Sequence, residues 1–102
     1  MSSKLGMMLS TPPAHPNLKT VTALAKTAMN GGDEVYLYLI DEGTLGMDDA
    51  DLQALATRGL KLFVCAYGAQ RQGISVNDRA TFCGLVVLSD LVKGCDRFLS
   101  FN

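Results

Sequence analysis

The sequence has one histidine, His15, and its three cysteines, Cys65, Cys83 and Cys95, form no C-x-x-C pair. Zinc sites are built from clustered Cys and His, so no metal is expected. The odd cysteine count argues against a disulfide framework. Lysine and arginine form no basic patch and the net charge is -1. Nucleic acid is therefore not an expected partner, because phosphate binding needs clustered cations. No apolar run approaches the ~20 residues of a membrane span. The first apolar run, residues 5–9, stops at Ser10-Thr11-Pro12-Pro13 and is too short for a signal-peptide core. These absences predict a cytoplasmic protein with no membrane contact. No G-x-G-x-x-G follows that first run, no Walker sequence occurs, and the loop STPPAHPN lacks a glycine-rich phosphate cradle. No cofactor is expected.

What is present is apolar and evenly spread. The chain has 102 residues, of which 48% are hydrophobic and 19% charged, as suits a single domain, residues 1–102, with one core. Residues 5–9 read as a first strand. Pro12, Pro13 and Pro16 forbid regular structure in the loop that follows. Asn17 reads as an N-cap. Leu18, Val21, Leu24, Ala25 and Ala28 then recur at helical spacing up to Asn30-Gly31-Gly32. Residues 34–40 are apolar almost throughout, the pattern of a strand covered on both faces. A turn at Asp41-Glu42-Gly43 precedes a helix opened by Asp48, Asp49 and Asp51, carrying Leu52, Leu55 and Ala56 inward, and closed by Gly59. A short strand at residues 80–84, a helix with Leu85, Leu88, Leu91 and Val92 on one stripe, and a strand at residues 97–101 complete the order. Such alternation predicts a three-layer α/β/α sandwich with a five-stranded, mostly parallel sheet.

The stretch KLFVCAYGAQRQGI, residues 61–74, carries the candidate chemistry. A buried strand delivers Cys65 to its carboxyl end, where ligands sit in open α/β sheets. Ala66, Tyr67, Gly68 and Gly73 surround the turn, and Arg71 stands six positions after the cysteine. A thiolate is favoured near a cation or a helix N-terminus, which makes Cys65 and Arg71 the candidate catalytic pair. Simple packing of Cys65 is an equally good reading of the pattern alone. His15, beside the first strand's end, is a candidate substrate contact, against an ordinary exposed loop histidine. Asp41 and Glu42 read as a solvated turn in preference to a metal site. Cys83 and Cys95 read as structural. Met7, Met8, Tyr36 and Tyr38 exceed what a small core needs and hint at an interface.

Cys65-Ala-Tyr-Gly-Ala-Gln, followed by Arg71-Gln72-Gly73-Ile74, resembles the C-x5-R-x-G-[IV] stretch of the DsrE/DsrF-like sulfur-relay family. Asp41-Glu42-Gly43 is similar to that family's acidic turn. Cys83-Gly84-Leu85, with Leu88, Leu91 and the close Asp96-Arg97-Phe98-Leu99-Ser100-Phe101, is similar to its ending. The resemblance covers nearly the whole chain. It departs at Gln72, where some members carry a second arginine, and in the proline loop around His15. The resemblance implies a cofactor-free persulfide carrier, or sulfurtransferase, using Cys65. It also implies protein-thiol donors and acceptors, and homo-oligomers or hetero-oligomers such as dimers, trimers or hexamers. The alternative is a non-catalytic oligomeric binding or assembly module of the same fold.

Overall fold

The computed structural model describes residues 3–102. Strand β1 (Lys4–Leu9) leads through the proline loop to helix α1 (Asn17–Asn30) and strand β2 (Glu34–Leu39). A 3-10 helix (Asp41–Gly46) and helix α2 (Ala50–Thr57) follow, then β3 (Lys61–Cys65) and the short helix α3 (Ala66–Arg71). Strand β4 (Thr81–Cys83), helix α4 (Leu85–Gly94) and β5 (Arg97–Phe101) complete the chain. The strands make one sheet in the order β4-β3-β2-β1-β5, and every pair is parallel. The architecture is the expected three-layer α/β/α sandwich.

The strand order fixes where the helices lie. From β1 to β4 the chain steps one way across the sheet, then returns past β1 to β5. Right-handed crossovers in opposite directions put their helices on opposite faces. One face accordingly packs Met7, Leu9, Val35, Leu37, Leu39, Leu62 and Val64 against Leu18, Val21 and Ala25 of α1 and Leu52 and Leu55 of α2. The other face carries Met8, Tyr36, Tyr38, Phe63, Cys65, Cys83 and Phe98, by alternation along the same strands. It is served by α4, which packs on β1 and β5.

The two faces are not equally covered. Among the seven core strand residues of the first face, none is more than 5% exposed. On the second, Tyr38 and Cys65 are the only buried side chains of those named, while Met8, Tyr36, Phe63 and Phe98 are half-buried. No residue of α4 is buried, and Leu85, Val86 and Val92 are more than half exposed. The apolar stripe expected for this helix therefore exists but does not bury itself within the chain. One helix has to serve a face that on the other side takes two. Met7 and Tyr38, read from sequence as surplus apolar residues, are instead fully buried core.

Three local expectations are corrected. Asn17 is the first helical residue and not the N-cap, a position held by Pro16. The His15 imidazole takes the capping role, its Nδ1 accepting the Asn17 N–H at 3.1 Å. The Asn17 side chain is thereby free to donate to Thr11 Oγ1 and to the Asn102 carbonyl. The turn after β2 is a 3-10 helix that extends to Gly46. It is held by the buried Thr44, whose hydroxyl donates to the Asp41 carbonyl at 2.7 Å. The second helix begins at Ala50, with the Asp49 carboxylate accepting the Leu52 N–H as a true side-chain cap.

The 3-10 helix lies so close to β1 that a Cβ on Gly43 would clash with the Leu9 carbonyl oxygen. Gly43→Ala is expected to destabilise the chain by roughly 1–3 kcal/mol, the range for overpacking a tight contact. Gly94→Ala, with nothing within 4 Å of the added methyl, is expected to stay within about 0.5 kcal/mol of wild type. Urea unfolding of the two variants checks the contrast; equal stabilities would contradict it.

Candidate functional site

The carboxyl ends of β1, β2 and β3 open into a cleft of about 680 Å³. Ser10, Ile40, Asp41, Glu42, Cys65, Tyr67, Gly68, Arg71, Gln72, Gly84 and Leu85 line it. Cys65 lies at its floor, because β3 ends there and α3 begins at once. The residue is 4% exposed. Its backbone is extended and its Sγ accepts the Gly68 N–H at 3.4 Å, which makes the cysteine the N-cap of α3. The small residue at position 68 permits this. A Cβ there would meet the Asp41 nitrogen at 3.2 Å and Thr44 Cγ2 at 3.4 Å. Asp41 itself has φ +53, in the left-handed region that Asp tolerates better than most residues. The turn after β2 and the turn after β3 are thus pressed together at the thiol.

Arg71 does not lie on the sulfur. Its guanidinium sits over the Tyr67 ring, 5.8 Å from the centroid, a cation–π arrangement at the cleft's exposed rim. Asp41 and Glu42 line the same cleft, so its lining includes residues of both charges.

The other predicted contacts divide. Tyr67 and Gly68 line the cleft with Cys65 and Arg71. Ala66 and Gly73 line a separate depression with Gln70, Ile74, Ser75, Val76 and Phe82. His15 is exposed and lines neither; its ring is engaged at the start of α1. Ser10, at the end of β1, takes the place in the cleft that sequence proximity suggested for His15. Among the described residues, no group of three or more His, Cys, Asp or Glu is placed to hold a metal ion. No helix among them is long and apolar enough to cross a membrane.

Sequence reasoning missed two residues beside Cys65. Tyr38 is fully buried, and its hydroxyl reaches past β3 to donate to the Gly84 carbonyl at 3.1 Å, with the Cys83 carbonyl at 3.5 Å. Cys83 is the register partner of Cys65 on β4. Burial pushes the Tyr38 phenol well above its ordinary range, and negative charge on Cys65 or Cys83 would push it further. Burial also pushes the Cys83 thiol up, against the opposing effect of a hydrogen bond from Tyr38. Cys95 is raised as well, chiefly by burial. The spacing of Cys65 and Cys83 gives no hint of their pairing, since an eighteen-residue separation becomes a neighbour only through the parallel register.

No protein-family model matches the sequence, and no curated protein matches it. Solved structures do. The ychN protein from E. coli superposes with a TM-score of 0.82 at 17% identity, covering 99% of this chain and 100% of its own. The two chains share a fold. A conserved protein of unknown function from Bacteroides thetaiotaomicron, BT1422, superposes with a TM-score of 0.78 at 16% identity, covering 97% of this chain and 95% of its own. The likeness to ychN runs end to end, so the β4-to-β5 return and α4 belong to the shared fold.

The protonation shifts make a solution prediction. Tyr38, Cys83 and Cys95 hold their protons more tightly folded than unfolded. Their contribution to stability is therefore complete below the ordinary thiol value of 9.0 and is lost as pH rises through the raised values. Urea unfolding is expected to give a lower unfolding free energy at pH 10 than at pH 7.5. Tyr38→Phe is expected to lower stability at pH 7.5 by about 1–2 kcal/mol through the lost bond to Gly84 and to shrink the alkaline decline. A stability that does not fall between the two pH values would contradict this reading.

Proposed function

We propose that the chain is a persulfide carrier of the DsrE/DsrF-like kind, in which Cys65 takes up a sulfane sulfur and passes it to a protein thiol. The observation that carries the reading is the Cys65 Sγ at the floor of the strand-end cleft, aimed at by the Gly68 N–H. The end-to-end likeness to the ychN fold supports it, as does the order of the motifs around residues 41, 65, 71 and 96–101. In the first step the Cys65 thiolate attacks the outer sulfur of a donor persulfide. The donor's S–S bond breaks and its thiolate leaves. In the second, an acceptor thiolate attacks the outer sulfur of Cys65-S-SH and Cys65 leaves as thiolate. Neither step changes the total redox state, and neither requires a metal or organic cofactor. The Gly68 N–H stabilises the negative charge on Cys65 before uptake and again when Cys65 leaves as thiolate after discharge. Arg71, held over Tyr67 at the rim, supplies positive charge to an approaching donor, while Asp41 and Glu42 limit how far free small anions are drawn in.

A second reading rests on the burial of Cys65 and the uncovered apolar surface of α4. On this reading the chain is a non-catalytic oligomeric module, holding a ligand or partner in the same cleft. Both readings include self-association. A second copy would cover Val86 and Val92 along with Tyr36 and Phe63. Leu85 is at once part of this surface and of the cleft lining, so assembly would also complete the cleft's wall.

Incubation with a sulfane donor, followed by intact mass, decides between the two. The wild-type chain is expected to gain one sulfur atom, removable by dithiothreitol. Cys65→Ser should gain none, and uptake by Cys65→Ser would remove Cys65 from the role. Arg71→Ala is expected to slow uptake from an anionic donor roughly tenfold, the cost of about one charged interaction. Val86→Glu with Val92→Glu is expected to lower the molar mass in solution seen by light scattering; an unchanged mass would place any interface elsewhere.

A further inference from the structure

Cys83 has a cysteine for a neighbour. It stands directly beside Cys65 in the β3–β4 ladder. Neighbouring parallel strands lie about 4.8 Å apart, and disulfides span Cα separations of roughly 4.4–6.8 Å. Residue alternation puts both side chains on one face, since Val64 and Phe82 turn to the opposite core. The Cys83 Sγ leans toward β3, 3.9 Å from the Val64 carbonyl. Both cysteines are free. β4 is a three-residue edge strand, reached through residues 72–80, which hold no helix or strand. An edge strand so short can shift to bring two sulfurs into bonding distance at little cost. The Tyr38 hydroxyl lies close to both thiols, where it bonds the Gly84 carbonyl.

We propose that Cys83 is the resolving thiol of Cys65: it discharges sulfur loaded on Cys65 and closes a reversible Cys65–Cys83 disulfide across the edge of the sheet. This rests on the persulfide reading of Cys65 for its sulfur chemistry, while the pairing itself rests on the ladder. In the step, the Cys83 thiolate attacks the Cys65 Sγ. The bond from that Sγ to the outer sulfur breaks, and the outer sulfur leaves with the electron pair as hydrosulfide. Cys83 is oxidised to the disulfide level and the departing sulfur is reduced to sulfide, so no outside oxidant is needed. The proton released from Cys83 balances the hydrosulfide as hydrogen sulfide. An external dithiol reopens the disulfide. A carrier built this way retains its sulfur only while an acceptor outpaces Cys83. Burial of Cys83, which keeps its thiol protonated, favours the acceptor.

The test uses the full chain in two arms. In the first, inorganic polysulfide is added and then removed, and intact mass, peptide mapping under non-reducing conditions and released sulfide are followed. The wild type is expected to pass from the Cys65 persulfide to a chain two hydrogens lighter than the reduced form, linked Cys65 to Cys83, with one sulfide released per chain. In Cys83→Ser and Cys83→Ala the persulfide is expected to live roughly tenfold longer or more, as loss of an intramolecular attacking group demands. Cys95→Ser is expected to behave as wild type. In the second arm hydrogen peroxide replaces polysulfide, oxidising Cys65 to the sulfenic acid, which Cys83 converts to the same disulfide with loss of water. A disulfide in the peroxide arm without any persulfide in the first would uphold the pairing and sink the carrier reading. No Cys65–Cys83 link in either arm, or persulfide lifetimes unchanged by the Cys83 variants, would overturn the proposal.

Discussion

The site depends on one close junction, where the 3-10 helix after β2 is clamped between β1 and α3. Gly43 lies against the Leu9 carbonyl and Gly68 against the Asp41 nitrogen. A Cβ at Gly43 would clash with backbone, and one at Gly68 would be a tight fit. At the clamp Asp41 adopts a left-handed conformation, and α3 starts the moment β3 ends. That start puts the Gly68 N–H on the Cys65 sulfur. Strand ends, tight turns and a thiol are therefore parts of one packing problem.

The same arrangement explains why the thiol is buried yet faces a cleft. Cys65 has Cys83 as its register partner on β4, while Tyr38 stands opposite Phe63, two residues back on the same face. Polar groups in such a setting must find partners. Tyr38 does so through the carbonyl of Gly84, tying the start of α4 to the centre of the sheet. The uneven covering of the two faces follows from topology. Three connections step one way across the sheet, and a single return carries one helix over the opposite face. That helix leaves Val86 and Val92 in solvent.

Much of this was legible in the sequence, for identifiable reasons. The apolar run of residues 34–40 announces a strand buried on both faces, and glycines at 31, 32 and 59 end helices where the chain ends them. The alternation of elements leads to a parallel sheet, and the sheet puts Cys65 at a strand end beside Gly68. What stayed hidden depends on contacts distant in sequence. Asn17 looks like a cap until His15 supplies a nearer acceptor. Leu85 and Val92 look like a buried stripe, since spacing reveals a helix but not what covers it. Arg71 looks poised to reach back to the sulfur, but the Tyr67 ring one turn earlier offers a nearer seat. The pairing of Cys83 with Cys65 stayed out of sight because register is a property of paired strands.

The most direct test of the account is site-resolved alkylation of the reduced, folded chain near neutral pH with a small thiol probe. On the persulfide-carrier reading, Cys65, bonded by the Gly68 N–H and lining the cleft, should be labelled ahead of Cys83 and Cys95, even though little of its surface is exposed. A Cys65 that stays unlabelled until the chain unfolds, while the other two react, would contradict the account and leave the cysteine a packing residue at the end of a strand.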